Sequence, residues 1–576
     1  MINTQPCRSL FAASLVIASL FLGACSKQES SRPLDQEPIN AKGDRSAETT
    51  DVPQKPGVET TGTWVTKDPE IDGIEGVSAD RAYIDLNLRT GVEPILVAVI
   101  DSGIDIEHED LAAHIWKNPG ETGVDKNGRN KASNNIDDDK NGYVDDIHGW
   151  NFLGSVDKTG KPVHIDATTL EVTRELVRMK KLKVKRELSE EEAAYLAHLD
   201  AEVAKARTDA TTSTAKVQGI KDAMKARYEV LKTLLAVEFE KVTLAMVTAL
   251  QPTEEVRKMA QAEFIELFKK NNLTNTARLD VLLQRYDDQL KYYFNESFDP
   301  RKQIIGDNPY RVEQQRGYGN NDVEGPGADH GTHVAGIIGA VRGNNLGIDG
   351  IATDVRIMAL RAVPNGDEYD KDIANAVRYA TDNGARVINM SFGKGYSPLK
   401  TKVDEAFMYA ASKGVLIIHS AGNDAKLNTD KNNFPNKHVK ASVADIIPNW
   451  IEVAASSKTK GLNLPAYFSN YGKETVDIFA PGFEVLSSVP GNQYAAFSGT
   501  SMAGPCVAGV GALILSQHPN FTGEKVRELV LSTARAYPGL EVYKPSVTGE
   551  KNVVAFDSLT VTGGAADVLA ALKKAR

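Results

Sequence analysis

Five short apolar segments constrain the fold of this 576-residue chain more than any other feature of its sequence. Segments with helical periodicity, such as Asp372–Asn383 and Lys402–Lys413, separate several of them. Because buried strands that alternate with helices are typical of a parallel sheet covered on both faces, the sequence predicts an α/β fold. Sites in such sheets lie at the carboxyl ends of the strands, where Asp101 and Asn389 are expected. The apolar segments are Ile95–Ile100, Val355–Leu360, Val387–Met390, Val415–His419 and Ile451–Ala455.

Residues 161–304 differ from this pattern and are predicted to form an α-helical insertion. Charged residues are dense there, and apolar residues recur every three or four positions from Ile220 to Leu250, which predicts one helix of about nine turns. Ser189 followed by Glu192 has the form of a capping box that opens an earlier helix. We expect these helices to pack on one another as a hairpin or bundle, with a coiled-coil oligomeriser as the alternative.

The N-terminus resembles a bacterial lipoprotein signal peptide. An apolar run from Leu10 to Leu22, too short to span a bilayer comfortably, leads directly into the sequence Leu-Gly-Ala-Cys. The resemblance to a lipobox implies that residues 1–24 are removed and that Cys25 carries the lipid anchor. By the same resemblance, Ser26 implies sorting to the outer membrane of the cell envelope, on its periplasmic or surface face. A plain secretory signal is the alternative.

Composition restricts the partners and the sources of stability. Residues 25–61 are rich in Ser, Pro, Glu and Gln and poor in large apolar residues, which predicts a disordered tether. The formal net charge of −10 argues against a nucleic-acid partner, because no basic excess is available to neutralise phosphates. With Cys7 lost and Cys25 lipidated, Cys506 is expected to be a lone buried thiol, and no intramolecular disulfide can form. We expect no organic cofactor, and the sequence leaves the oligomeric state open.

Three further segments each place one reactive side chain among small residues. Each side chain alone has an ordinary explanation: the aspartate could cap a turn, the histidine could be a satisfied surface residue, and the serine could cap a helix. Together they supply what acyl transfer by a serine requires, namely a nucleophile, a base, and a carboxylate that orients the base. Their order along the chain, Asp, His, Ser, is the order found in subtilisin and differs from that of chymotrypsin and of the α/β-hydrolases. The three residues are Asp101, His330 and Ser501.

These segments closely resemble the signature segments of the subtilase family of serine proteases. The resemblance covers about Trp64 to Phe152 and Gln303 to Lys574 and leaves the helical insertion unmatched. It implies a subtilisin-like three-layer α/β/α fold with a mostly parallel sheet. The catalytic domain would then be built from two parts, residues 62–160 and residues 305–576, on either side of the insertion.

The resemblance also implies a role for each residue. Asp101 would orient His330, which would act as general base and then general acid, while Ser501 would be the nucleophile that forms an acyl-enzyme. Asn423, in the sequence Ser-Ala-Gly-Asn, would donate its side-chain amide to the oxyanion, with the backbone N–H of Ser501 as the second donor. His333 is expected to have a structural role within its helix.

The segment Asn-Met-Ser-Phe-Gly matches the strand edge that pairs with the substrate main chain in this family. It implies that Ser391, Phe392 and Gly393 bind protein or peptide substrates by strand addition. The predicted function is therefore that of a serine endopeptidase. The alternative is a catalytically inactive binding or scaffold lipoprotein with the same fold. An α/β-hydrolase esterase is disfavoured, because no G-x-S-x-G sequence surrounds Ser501.

An acidic loop after the first strand predicts a structural calcium site. Asp and Asn at alternate positions, followed by glycine, resemble the start of an EF-hand loop. The glutamate expected at the twelfth position is absent, and His148 stands there. A solvated acidic turn is the alternative. The predicted ligands are Asp137, Asp139, Asn141, Tyr143 and Asp145.

The helical insertion has no counterpart in the family. Most secreted subtilases carry an N-terminal pro-domain that assists folding and inhibits the active site, and the stretch from Cys25 to Asp101 leaves little room for one. We therefore hypothesise that the insertion serves as a lid or regulator near the cleft. The alternative is that it only decorates the surface.

Overall fold

The computed structural model describes residues 63–312, 317–439 and 445–576. The predicted signal peptide, Cys25 and the tether lie outside these residues. The described strands are β1 (Ile95–Asp101), β2 (Gly149–Asn151), β3 (Gly154–Val156), β4 (Pro162–His164), β5 (Val355–Arg361), β6 (Val387–Met390), β7 (Leu416–Ser420), β8 (Trp450–Ser456), β9 (Ile478–Pro481), β10 (Val485–Val489), β11 (Gln493–Phe497), β12 (Arg535–Ala536), β13 (Glu541–Tyr543), β14 (Val553–Ala555) and β15 (Gly564–Ala565).

Nine of these strands form one sheet, in the order β12-β15-β9-β8-β7-β6-β1-β5-β2. All neighbours in this sheet are parallel except β12 and β15. The five apolar segments of the sequence correspond to β1, β5, β6, β7 and β8. The predicted α/β class and the mostly parallel sheet are therefore confirmed.

Helices cover both faces of this sheet. In β1, Val97 and Val99 face the core beneath the helices at Asp329–Gly339 and Thr500–Gln517, while Ala98 and Ile100 face the core beneath those at Asp370–Asp382 and Lys400–Ser412. Because both faces are buried, these strands read as continuous apolar runs in the sequence. The layer order is α/β/α, as predicted. The described helices are α1 (Ala79–Asp85), α2 (Glu171–Lys185), α3 (Glu190–Leu235), α4 (Leu244–Ala249), α5 (Glu255–Lys270), α6 (Ala277–Asp288), α7 (Pro300–Ile304), α8 (Asp329–Gly339), α9 (Asp370–Asp382), α10 (Lys400–Ser412), α11 (Thr500–Gln517), α12 (Gly523–Ser532) and α13 (Val568–Ala575).

Helices α2 to α7 lie in the region predicted to be the insertion. The capping box is confirmed, since Ser189 Oγ accepts from the Glu192 N–H and the Glu192 carboxylate accepts from the Ser189 N–H. Helix α3 packs against α2, α5 and α6, so the helices bury their apolar faces against one another within the chain. This arrangement matches the expected bundle.

The prediction of one helix from Ile220 to Leu250 is wrong. Helix α3 begins thirty residues earlier, at Glu190, and ends at Leu235, where Ala236 adopts a left-handed conformation with φ 54°. A short 3-10 turn at Phe239–Lys241 and the separate helix α4 follow. The apolar spacing continues through the break because the residues on both sides of it are buried in one core against α5 and α6.

Candidate active site

The carboxyl end of β1 brings Asp101 against His330. Asp101 is the last residue of β1, and His330 lies in the first turn of α8. The Asp101 Oδ1 and His330 Nδ1 atoms are 2.8 Å apart, and Oδ1 also accepts from the Ser102 N–H at 2.7 Å. Because an ionised carboxylate only accepts hydrogen bonds, Nδ1 carries the ring proton and Nε2 is left to accept one. The pair is therefore arranged as an oriented base.

Glycine at position 331 permits this close approach. A Cβ atom on Gly331 would lie 2.1 Å from the Gly103 carbonyl oxygen and 3.1 Å from the Asp101 Cβ. Any side chain here would push the start of α8 away from the end of β1. The small residue next to His330 is thus explained by packing against the loop that follows Asp101.

Ser501 lies in the first turn of α11, which packs against α8. Its hydroxyl donates to the Ser391 carbonyl at 3.2 Å, and among the described residues it makes no hydrogen bond to His330. Two serines at the ends of neighbouring strands fix this turn, since Ser391 Oγ donates to the Ser501 carbonyl and Ser420 Oγ donates to the Thr500 carbonyl. Catalytic hydrogen bonds are often loose before substrate binds, so this orientation is compatible with a nucleophile.

Asn423 Nδ2 and the Ser501 backbone nitrogen lie close to the same position at the start of α11. A Cβ atom built on Gly499 would lie 3.5 Å from Asn423 Nδ2 and 3.5 Å from Ser501 N. Asn423 Oδ1 accepts from both the N–H and the hydroxyl of Thr500, at 2.8 and 2.9 Å, which directs Nδ2 away from them. Two N–H donors that meet at the N-terminus of a helix form a site suited to an oxyanion. Thr500, which no sequence argument assigned, holds this amide in place.

The predicted substrate segment follows β6 directly. Among the described residues, the backbone N–H and C=O groups of Phe392 and Gly393 make no hydrogen bond, whereas Lys394 pairs through its backbone with Phe434 at 2.8 Å in both directions. An unpaired edge of this kind can accept an added strand. Since the Ser391 carbonyl contacts Ser501, an extended peptide on this edge would lead to the nucleophile.

His333 and Cys506 are buried and take no part in this site. His333 Nε2 lies 3.0 Å from the Val485 and Ala495 carbonyl oxygens, and burial lowers the pKa of the ring to about 3. The Cys506 thiol is fully buried and contacts the Pro481 carbonyl at 3.5 Å, and burial raises the pKa of this thiol. The structural role expected for His333 and the burial expected for Cys506 are both confirmed.

The arrangement at the ends of β1, β6 and β7 can be compared with known proteins. The sequence profile of the Subtilase family (Peptidase S8) matches residues 93–554. The chain belongs to the subtilase family. This membership confirms the predicted family.

Several subtilases align with part of the chain. The thermophilic serine proteinase of Bacillus sp. (strain AK1) is 40% identical over 216 residues, which cover 37% of this chain and 49% of that protein. Subtilisin NAT of Bacillus subtilis subsp. natto is 38% identical over 221 residues, covering 38% of this chain and 53% of that protein. The subtilisin of Bacillus pumilus is 38% identical over 38% of this chain and 74% of its own length. The chain thus spans about half the length of the first two relatives.

The acidic loop of this subtilase brings a different set of carboxylates together from the predicted one. One carboxylate oxygen each from Glu121, Asp137 and Asp139 lie within 4.8 Å of one another. Asp145 lies outside this group and accepts instead from the Asn135 N–H at 3.0 Å. Glu121 was not predicted, because it lies on a separate turn well before the loop and no spacing rule connects the two.

The other predicted ligands contact the loop in different ways. The Asn141 side-chain N–H groups donate to Asp139 and Asp146, and its backbone N–H donates to Asp137 Oδ1 at 3.1 Å. The Tyr143 ring packs in the core against Trp150, with ring centroids 5.0 Å apart, so only its backbone could face the loop.

Proposed function

We propose that this subtilase is a serine endopeptidase that cleaves peptide bonds through an acyl-enzyme on Ser501. The observation that carries the proposal is that Asn423 Nδ2 and Ser501 N lie close together at the start of α11, which packs against the helix that holds His330 against Asp101. Nucleophile, base and oxyanion donors are the groups that peptide hydrolysis requires.

The reaction would begin with rotation of the Ser501 side chain away from the Ser391 carbonyl. Ser501 Oγ bonds to the substrate carbonyl carbon as its proton passes to His330 Nε2, and the carbonyl oxygen becomes an oxyanion held by Asn423 Nδ2 and Ser501 N–H. The C–N bond then breaks as His330 returns the proton to the leaving amine. Water, deprotonated by His330, releases the acyl group and restores the serine.

A serine-directed probe tests this proposal. We expect the protein to react with a fluorophosphonate and to degrade unfolded casein, and Ser501→Ala to lose both activities. Ser498→Ala is a matched control, because this nearby hydroxyl accepts from the Glu484 N–H and lies outside the predicted triad. If the folded, unsubstituted protein neither labels nor cleaves, the inactive binding or scaffold lipoprotein becomes the better description.

We also propose that Glu121, Asp137 and Asp139 hold a structural calcium ion. Glu121 is fully buried, and its Oε2 has no hydrogen-bond partner among the described residues. A buried carboxylate oxygen without a partner is costly, and oxygen atoms are the ligands that calcium prefers. The carboxylates present therefore fit a hard cation, which would tie the turn of Glu121 to the acidic loop.

Thermal unfolding with calcium or with a chelator tests this site. Calcium at about 100 times its Kd would add about 2.7 kcal/mol to the free energy of unfolding. We expect the Tm to rise with calcium in the unsubstituted protein and to lose this dependence in Glu121→Gln. Asp125→Asn is the matched control, since this acidic residue lies outside the carboxylate group and pairs with Arg129 instead. A Tm that changes with neither calcium nor chelator would rule out the site.

Finally, we propose that the protein is anchored in the bacterial envelope, in the outer membrane, by lipid on Cys25. The proposal is supported by the Leu-Gly-Ala-Cys sequence and by Ser26. Metabolic labelling with an alkyne fatty acid should mark the protein and not Cys25→Ser, while Cys506→Ser should label normally. If the protein is not labelled, a plain secretory signal becomes the better explanation of the N-terminal sequence. Added protease on intact cells should then distinguish the surface face from the periplasmic face.

A further inference from the structure

Two loops flank the predicted triad, and the helical insertion contacts both of them. The first loop, residues 362–370, begins where the Ala362 and Val363 N–H groups donate to the Asp101 carbonyl at 2.9 and 3.1 Å. The second loop, residues 391–397, begins where the Ser391 carbonyl accepts from Ser501. An extended peptide that reaches Ser501 along Phe392 and Gly393 would therefore be bordered by these two loops.

The start of the insertion pairs with the first loop through a single parallel β-bridge between Ala167 and Asn365. The Thr168 N–H donates to the Asn365 carbonyl at 2.8 Å, and the Asn365 N–H donates to the Asp166 carbonyl at 2.7 Å. The Tyr293 hydroxyl, from the end of the same helical region, donates to the Asn365 side-chain oxygen. Both ends of the helical insertion therefore contact Asn365 in the first loop.

A buried ion cluster joins the two loops through the first turn of α2. The Lys394 side chain is 1% exposed, and its Nζ lies 2.9 Å from Glu171 Oε2, 2.7 Å from Asp370 Oδ1 and 2.8 Å from the Glu368 carbonyl oxygen. Arg174 pairs with Glu171 at 2.6 Å and also donates to the Glu368 carbonyl at 3.0 Å. Lys394 is the residue directly after the predicted substrate segment, so α2 holds the end of that segment against the first loop.

The charges of this cluster depend on one another. Burial alone would raise the pKa of the Glu171 carboxyl, but Arg174 and Lys394 lower it to about 2. A buried lysine is tolerated only where opposite charge and hydrogen bonds replace its hydration, and removing one partner of a buried pair is strongly destabilising. A contact of this kind does not open and close readily, which distinguishes it from the contact of a mobile lid.

A second contact fixes the far end of the second loop. The Tyr396 hydroxyl donates to Glu202 of α3 at 2.5 Å. Residues 391–397 are therefore held at Ser391 and Lys394 by the catalytic domain, and at Lys394 and Tyr396 also by the helical insertion.

We propose that Glu171 and Arg174 are positioning residues that brace the substrate-binding segment, so that the insertion forms a fixed wall of the cleft for extended peptides. The inference rests on the proposed endopeptidase function. Residues 391–393 must keep one register with respect to Ser501 for a peptide several residues long to pair with them. A small ester, which needs only the triad and the oxyanion donors, does not depend on this register.

The test compares Glu171→Gln with Glu175→Gln. Glu175 lies one turn further along α2 and is equally buried, but it pairs with Arg178 of the same helix at 2.7 Å. For Glu171→Gln we expect kcat/KM to fall about 10-fold on a five-residue peptide anilide, which is about 1.4 kcal/mol, and to change less than about 2-fold on a single-residue nitrophenyl ester. Glu175→Gln should leave both values within about 2-fold.

Hydrogen exchange gives a readout that does not need activity. The amides of residues 391–397 should exchange faster in Glu171→Gln than in Glu175→Gln. If the unsubstituted protein hydrolyses neither substrate, the proposed function fails. The hydrogen-exchange comparison still tests whether Glu171 braces residues 391–397. Equal losses on both substrates, equal effects in both variants, or unchanged exchange would each overturn the inference. If Glu171→Gln does not fold, Glu171→Asp, which keeps the charge and shortens the reach to Lys394, is measured in the same way.

Discussion

Replacement of Asp101 by asparagine separates the charge of this residue from its geometry. Two N–H groups, from His330 and Ser102, already donate to Oδ1, while Oδ2 is buried and has no hydrogen-bond partner among the described residues. In Asp101→Asn the carboxamide oxygen should therefore keep the Oδ1 position, and the new NH2 group should occupy the Oδ2 position. The His330 tautomer would be preserved, and only the negative charge would be lost.

The size of the effect follows from the charge that develops on His330. In the transition state the ring is positively charged and lies against the Asp101 carboxylate, with its Nδ1 2.8 Å from Oδ1. With charge centres about 4 Å apart and an effective dielectric constant of about 20, the attraction is about 4 kcal/mol. Its loss would lower kcat about 10³-fold. An amide in the reversed orientation would also force the wrong tautomer and cost more, about 10⁴-fold as in the Ser-His-Asp proteases where this occurs.

The assay is single-turnover acylation of a chromogenic peptide, with Ser501→Ala as the measure of background. Circular dichroism and the Tm control for folding, because the new NH2 group at the Oδ2 position is buried. A loss smaller than 10-fold would show that the carboxylate charge contributes little. A loss as complete as that of Ser501→Ala would show that the amide has reversed, and the reasoning from the Ser102 N–H would be wrong.

Four other parts of the structure give further predictions. Asn423→Ala should lower kcat about 10²- to 10³-fold with little change in KM, because it removes an oxyanion donor; an effect on KM alone in steady-state kinetics would contradict that role. A thiol reagent should leave peptidase activity unchanged in the folded protein, because the Cys506 thiol is buried and its pKa is raised; inactivation that Cys506→Ala abolishes would refute this. The pKa of His333 is about 3 in the folded protein and about 6.5 when unfolded, so the unfolded state alone gains a proton as the pH falls. The contribution of His333 to the free energy of unfolding should thus be intact above pH 6.5 and decrease by up to about 1.4 kcal/mol per pH unit towards pH 3. In His333→Asn, the free energy of unfolding measured by denaturant titration at several pH values should depend less steeply on pH. Thr500→Val should lower kcat and change KM less, because it removes the hydroxyl that donates to Asn423 Oδ1. Thr500→Ser, which keeps a hydroxyl, should retain activity.

The sheet and the residues at its strand ends could be predicted because each depends on local sequence. The run of apolar residues in β1 reports burial on both faces directly, and the turn after it places Asp101 at the carboxyl end. His333 could be separated from His330 by its position in the signature segment, and the structure places His333 Nε2 against the Val485 and Ala495 carbonyl oxygens. These predictions required no knowledge of distant contacts.

The parts that could not be predicted depend on contacts between distant segments. Glu121 joins Asp137 and Asp139 through a turn that no spacing rule links to the acidic loop. Helix α3 ends at Leu235 although the apolar period continues, because the chain reverses there and the following segments bury their apolar residues in the same core. No role for Lys394 was predicted, since its carboxylate partners lie on α2 and at the start of α9.

The buried cluster at Lys394 changes how the insertion should be understood. A surface decoration would contact the catalytic domain through exposed residues, and a lid would contact it through groups that can be rehydrated at low cost. Glu171 and Lys394 are instead both nearly inaccessible to solvent, with side chains 3% and 1% exposed. Separating them would leave each charge in an apolar environment or admit water into the wall of the cleft. The insertion is therefore part of the framework that holds the predicted substrate-binding edge, and its helices contact the two loops that flank the candidate active site.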